Sequence, residues 1–149
     1  MMNLYLDNCC IQRPLDDKSQ LRIAVESEIV LNLISLVESG KLILISSDVL
    51  EYEAKNNPYS FRREFTLKVL EKAKHIVRLN NNIKLRAKFF MENGIKAIDA
   101  LHLASAETFE VNFFCTCDDN FLKKSKRIEN LRINAFSLLE IIKELDNEY

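Results

Sequence analysis

Asn3-Leu4-Tyr5-Leu6-Asp7 opens the chain with a short apolar run that ends on an acid. A run of this length with polar flanks reads as a strand buried on both faces. In an open parallel sheet, the carboxyl ends of the strands border the crevice where ligands bind. An aspartate at such an end is either a local cap for the next turn or the anchor of a site. The choice depends on whether other carboxylates return to meet it.

Working outward, residues 9–18 read as a loop. Leu21, Val25, Ile29, Leu33, Leu36 and Val37 recur at helical spacing and predict a helix over 19–38, ended by Gly40. A second apolar strand covers 41–45. Ser46-Ser47-Asp48 opens a helix to about residue 56, ahead of Pro58. Helices are expected over 59–74, 81–92 and 96–109, with a strand over 76–79 between the first two. The 96–109 helix is apolar almost all round, the mark of a buried helix. A strand over 111–116, a turn and short helix over 118–126, a strand over 131–133 and a helix over 136–145 complete the chain. Strands alternating with helices predict an α/β fold: three layers, α/β/α, around a mainly parallel sheet, with residues 1–149 as a single domain.

The bulk numbers agree with that class. Of the 149 residues, 48% are hydrophobic and 29% charged, the balance of a soluble globular chain. Two glycines and two prolines argue against a turn-rich sandwich and against disorder. A net charge of −1 does not advertise a nucleic-acid binder, although local basic patches can serve. Cys9-Cys10 and Cys115-x-Cys117 have no zinc-knuckle spacing, so the cysteines read as small core residues in a reducing cytoplasm. The start lacks the features of a signal peptide, and no apolar stretch is long enough to span a membrane.

The carboxylates are more informative. At 100° per residue, Val49 and Leu50 define the inner face of their helix, and Glu53 falls between them. Glu51 lies near the opposite side, where pairing with Lys55 or a capping box with Asp48 accounts for it. A glutamate on an inner face needs either a buried partner such as arginine or something to bind. Asp99 sits in the first turn of the most apolar helix, as an N-terminal cap or as part of a site. Asp118 and Asp119 follow a strand, as an Asp-rich turn or as site residues beside Asp7. Acids gathered at one sheet edge repel by about 4 kcal/mol per pair at 4 Å and an effective dielectric of 20. An all-oxygen set of this kind suits Mg²⁺ or Mn²⁺, which can activate water and stabilise phosphoryl transfer.

These residues also form an ordered series: Leu4-Tyr5-Leu6-Asp7, Ser47-Asp48-Val49-Leu50-Glu51-Tyr52-Glu53, Ile98-Asp99-Ala100-Leu101-His102-Leu103-Ala104, Thr116-Cys117-Asp118 with Phe121, and Asn134-Ala135-Phe136. In them the chain resembles PIN-domain proteins, and is similar to the ribonuclease toxins of VapC-type toxin–antitoxin pairs. The resemblance implies a metal-dependent endoribonuclease with Asp7, Glu53, Asp99 and Asp118 at the family's acidic positions. Asp7 and Asp99 would hold Mg²⁺ or Mn²⁺ directly, and Asp118 directly or through water. Glu53 would hold a metal or orient the attacking water, and Thr116 would supply the family's hydroxyl. It also implies an RNA substrate, a small antitoxin partner and a homodimer. Where the family commonly has Asp-Thr-Asn, this chain has Asp7-Asn8-Cys9. Where a proline commonly follows the last asparagine, it has Ala135. A second reading keeps the fold for binding or regulation with little nuclease activity. Phosphatases of the haloacid-dehalogenase type need Asp-x-Asp after the first strand, which Asp7-Asn8-Cys9 fails.

His102 is read as a satisfied core histidine or a base near the acids, and His75 as a surface cation ending a helix. Lys123, Lys124, Lys126 and Arg127 either steer a phosphate backbone or form a solvated face. Arg62, Arg63, Lys84, Arg86 and Lys88 read as solvated faces. Arg13 and Pro14 are placed near Asp7.

Overall fold

The computed structural model describes residues 1–148. Its strands are β1 (Asn3–Leu6), β2 (Ile43–Ser47), β3 (His75–Val77), β4 (Phe113–Cys115) and β5 (Ala135–Phe136). Its helices are α1 (Asn8–Gln12), α2 (Leu21–Glu38), α3 (Asp48–Lys55), α4 (Ser60–Leu70), α5 (Asn81–Glu92), α6 (Ala97–Phe109), α7 (Asp119–Lys126) and α8 (Leu138–Glu148), with a 3₁₀ turn at Arg13–Leu15. The strands form one parallel sheet in the order β3-β2-β1-β4-β5. Leu4 pairs with Leu44 on one side and Phe113 on the other. Leu4, Tyr5 and Leu6 are fully buried, as expected for a central strand covered on both faces. α2 packs with α8, and α6 with α5 and α3, giving the three-layer α/β/α arrangement.

This order matters for function. The chain leaves β1 toward β2 on one side and returns to β4 on the other. The carboxyl ends of β1 and β4 therefore flank the switch point, where open α/β sheets bind ligands. Asp7 follows β1, and Thr116 and Asp118 follow β4. α6 leads into the start of β4, so its own first turn, with Asp99, lies back at the carboxyl edge.

Five local expectations are corrected. Residues 9–18 are not a plain loop: Asp7 caps α1 by accepting from the Cys10 amide, and Cys10 and Ile11 are buried. β2 starts two residues later than expected, because the amides of Lys41 and Leu42 both donate to the Leu36 carbonyl around Gly40, whose φ is 78°. It then continues through Ser46 and Ser47, which pair with β3. The cap of α3 is Ser47, accepting from the Leu50 amide, while Asp48 pairs with Arg78 and the Leu79 amide. The last strand is Ala135–Phe136 rather than 131–133, since the Arg132 amide donates to Glu107 and is lost to any ladder. His75, expected to end a helix, opens β3 with its ring 5.2 Å from that of Phe109.

Three arginines expected on solvated faces or near substrate prove structural. Arg13 binds Glu26 and Asp16, and Arg62 reaches across from α4 to Asp16. Arg86 pairs with the fully buried Glu107.

Candidate active site

Each acid expected at the site lies at the carboxyl edge of the sheet, and each has its own local cause. Asp7 is only 4% exposed. Its Oδ1 accepts from the Cys10 amide at 3.1 Å and the Cys9 thiol at 3.0 Å. Asp118 is exposed and caps α7, with Oδ1 accepting from the amides of Asn120 and Phe121 at 3.0 Å each. Glu53, one turn into α3, is held by Oε1, which accepts from Asn8 Nδ2 at 2.7 Å and from His102 Nε2. In Asp118 and Glu53 one oxygen carries the structural hydrogen bonds, which leaves the other for a ligand. Asp99, half-buried, accepts no hydrogen bond among the described residues, and it lines a cleft with Asp118, Lys96 and Lys124.

Behind the acids runs a buried polar chain. The Tyr5 hydroxyl lies 2.7 Å from Ser47 Oγ and 2.7 Å from His102 Nδ1. A carboxylate only accepts, so His102 Nε2 carries the proton it gives to Glu53. In the neutral ring Nδ1 then accepts from Tyr5. His102 is thus a satisfied core histidine that also fixes a site carboxylate. Tyr5 was not singled out in the sequence, although a tyrosine inside a doubly buried strand must find a partner for its hydroxyl. Tyr5→Phe removes that bridge and leaves Nδ1 unpaired, and is expected to cost about 1–3 kcal/mol in urea unfolding.

Thr116 is buried: its hydroxyl accepts from the Asp118 amide at 3.1 Å and lies 3.7 Å from Cys9 Sγ, whose thiol reaches Asp7. Asn8, one place early against the family pattern, still faces the pocket through Glu53. Its Oδ1 is buried with no partner among the described residues. Glu51 accepts from Ser46 and Asp119 forms a fork with Arg22, so both are engaged elsewhere. Of the basic run, Lys126 pairs with Glu140, while Lys124 bonds the Gly94 carbonyl and borders the cleft.

The electrostatics show a shortage of positive charge. Burial pushes Asp7 well above the usual carboxylate range. Burial also raises Asp99, and the charges of Asp118 and Glu53 add to it. Burial acts to raise Glu53 too, but the hydrogen bonds from His102 and Asn8 hold it below its ordinary value. That Asp99 responds to Asp118 and Glu53 shows the three acids within electrostatic reach of one another. A divalent cation fits this set: hard oxygen donors, mutual repulsion, and an orphaned amide oxygen at Asn8 that a metal or its water could satisfy.

The family model for the PIN domain matches residues 5–127. No curated protein gives a significant match. Among solved structures, FitAcB from Neisseria gonorrhoeae aligns with a TM-score of 0.58 at 14% identity, over 91% of this chain and 98% of that one. VapBC2 from Rickettsia felis, bound to a DNA fragment from their promoter, aligns at 0.55 and 16% identity, over 91% and 99%. PAE2754 from Pyrobaculum aerophilum aligns at 0.58 and 16% identity, over 98% and 90%. At these identities the likeness is one of fold.

Proposed function

The chain belongs to the PIN-domain family, and we propose that it is an endoribonuclease dependent on Mg²⁺ or Mn²⁺. The observation that supports this reading is that Asp7, Glu53, Asp99 and Asp118 lie at the carboxyl side of the sheet, with a carboxylate oxygen left uncommitted on Glu53 and Asp118 and no hydrogen bond to Asp99 among the described residues. A binding module has no need to hold such acids together against their repulsion.

In this reading Asp7, Asp99, Asp118 and Glu53 hold the cation, and Thr116 fixes the start of α7 by accepting from the Asp118 amide. A bound Mg²⁺ or Mn²⁺ supplies Lewis-acid stabilisation of the phosphoryl oxygens and acidifies an attacking water. The protein's part is positional. Asn8 and His102 prevent Glu53 from rotating, and the Tyr5–Ser47 bridge prevents His102 from rotating. Lys96 and Lys124 border the cleft and supply positive charge for a phosphate backbone.

A toxin under the control of a small antitoxin follows from the same family reading and is supported by the likeness to VapBC2 and FitAcB. A homodimer and a cytoplasmic location complete the proposal. Among the described residues no helix is long and apolar enough to cross a membrane.

The test is cleavage of single-stranded RNA, with the matching DNA as comparison, in Mg²⁺, Mn²⁺ and EDTA. RNA cleavage in either metal and none in EDTA is expected, and cleavage that persists in EDTA overturns the mechanism. Linkage gives a check without substrate: metal at a hundred times its dissociation constant stabilises the fold by about 2.7 kcal/mol. A rise in melting temperature with Mn²⁺ that Asp99→Asn removes is the expected result.

A further inference from the structure

Three of the chain's cysteines come together beside the acids, although they lie on two distant segments. The sulfurs of Cys9, Cys10 and Cys117 all lie within 4.8 Å of one another. Cys10 and Cys117 are in contact at 3.6 Å. A tetrahedral site with metal–sulfur bonds near 2.3 Å has sulfurs about 3.8 Å apart, so the cluster is already close to that spacing. Cys9 is exposed, while Cys10 and Cys117 are buried behind it, which gives an ion a way in and a closed floor. The Cys117 amide donates to Cys9 Sγ at 3.3 Å, the kind of contact that orients a sulfur ligand. Cys115, the fourth cysteine, is buried in the sheet and is not part of the cluster.

We propose that Cys9, Cys10 and Cys117 form a second metal site, for one thiophilic divalent cation of the Zn²⁺ class, with a water oxygen completing the tetrahedron. Asp7, whose Oδ1 lies 3.0 Å from Cys9 Sγ and 3.1 Å from the Cys10 amide, borders the cluster without being part of it. Three sulfurs and one oxygen select a soft or borderline ion over Mg²⁺, which prefers six oxygens. Binding displaces the thiol protons to solvent, so uptake is accompanied by proton release. The site lies beside Asp7, to which the Cys9 thiol donates. If the acid pocket holds Mg²⁺ or Mn²⁺ as proposed above, a soft ion bound here takes that thiol proton away from Asp7 and places positive charge next to the pocket. That consequence rests on the nuclease reading, whereas the site itself does not.

The test therefore avoids activity and uses Co²⁺ as the probe on reduced, full-length protein. Thiolate-to-cobalt charge-transfer bands and the visible bands of tetrahedral Co²⁺ should saturate at one equivalent and be displaced by Zn²⁺. Asp99→Asn, which alters only the acid pocket, should leave them intact. Cys117→Ser should abolish them, with apparent affinity falling by more than about a hundredfold. Absence of thiolate bands in the wild-type protein, or full bands in Cys117→Ser, overturns the proposal. Should Cys117→Ser not fold, X-ray absorption at the zinc edge on the wild-type protein decides. Three sulfur neighbours at about 2.3 Å support the site, and an all-oxygen shell refutes it.

Discussion

Asp99→Asn should lose RNA cleavage by about 10²–10³-fold while its fold becomes no less stable. The first half follows from the charge removed. A metal that stabilises transition-state charge contributes several kcal/mol, and each 1.4 kcal/mol is tenfold in rate. The second half follows from the environment. Asp99 is half-buried and accepts no hydrogen bond among the described residues, and its carboxyl is raised by burial and by Asp118 and Glu53. An acid whose folded pKa is raised is a net cost at neutral pH, and the cost fades as pH falls toward that pKa. Asparagine has the same shape and no charge, so it removes the cost. Without metal, thermal melting at pH 7 should be unchanged or higher in the variant. This opposition of activity and stability is expected at a site held under strain for function. A variant that loses activity and stability together would instead mark Asp99 as a structural cap.

The largest stability effect is expected far from the pocket, at Glu107. It is fully buried near the end of α6. Arg86 donates to it through Nε at 2.6 Å and Nη2 at 3.0 Å, and the Arg132 amide adds a third bond at 3.0 Å. Glu107→Ala leaves a mostly buried arginine without its counterion, a loss of about 3–5 kcal/mol for such pairs. Arg86 also lies over the Phe89 and Phe90 rings and reaches the Asn130 carbonyl, so the lower end applies. At about 2–4 °C per kcal/mol for a chain of this size, a melting point about 6–12 °C lower is expected. The pH dependence has a definite sign. Burial acts to raise the Glu107 carboxyl, but Arg86 and the Arg132 amide and charge bring it below its ordinary value. Its stabilisation is therefore present above the unfolded value, about 4.3 for glutamate, and is lost as pH falls through the lower folded value. The gap between wild type and Glu107→Gln in urea unfolding should accordingly narrow in acid. A gap independent of pH would contradict the ion-pair account.

The two residues also show what was legible in the sequence. Asp99 could be identified because a charge in the first turn of an otherwise apolar helix has few explanations. Glu107, on the same helix, was passed over because its partners come from α5 and from residue 132, and no local pattern joins them. The same applies to Glu26, held by Arg13 and Arg22. Helical periods and buried strands were readable, so the α/β class and most elements could be derived, and 81–92 matches α5 to the residue. An end set by a tertiary hydrogen bond was not, as the displaced β5 shows, and neither was the capping turn around Gly40 that delays β2. For the site, one-dimensional spacing placed all four acids near strand ends. It did not show that Asn8 and His102 meet on a single oxygen of Glu53, since that contact joins the turns after β1 and β2 to the interior of α6. The three-cysteine cluster was missed for a similar reason: only the pairing of Leu6 with Cys115 brings residues 9 and 117 together.

The strand order has a further consequence, for the time at which the chain is made. β1 is made before the other four strands of its sheet, yet one of its two neighbours, β4, begins at residue 113. While the chain is still emerging from the ribosome, β1 can pair with β2, but its other edge stays open. Asp7 and Glu53 can approach each other early, whereas Asp99 and Asp118 lie 46 and 65 residues after Glu53 and arrive later. The acid pocket is thus a late product of synthesis, and a nascent chain stalled before β4 carries a central strand open on one edge and an incomplete set of carboxylates.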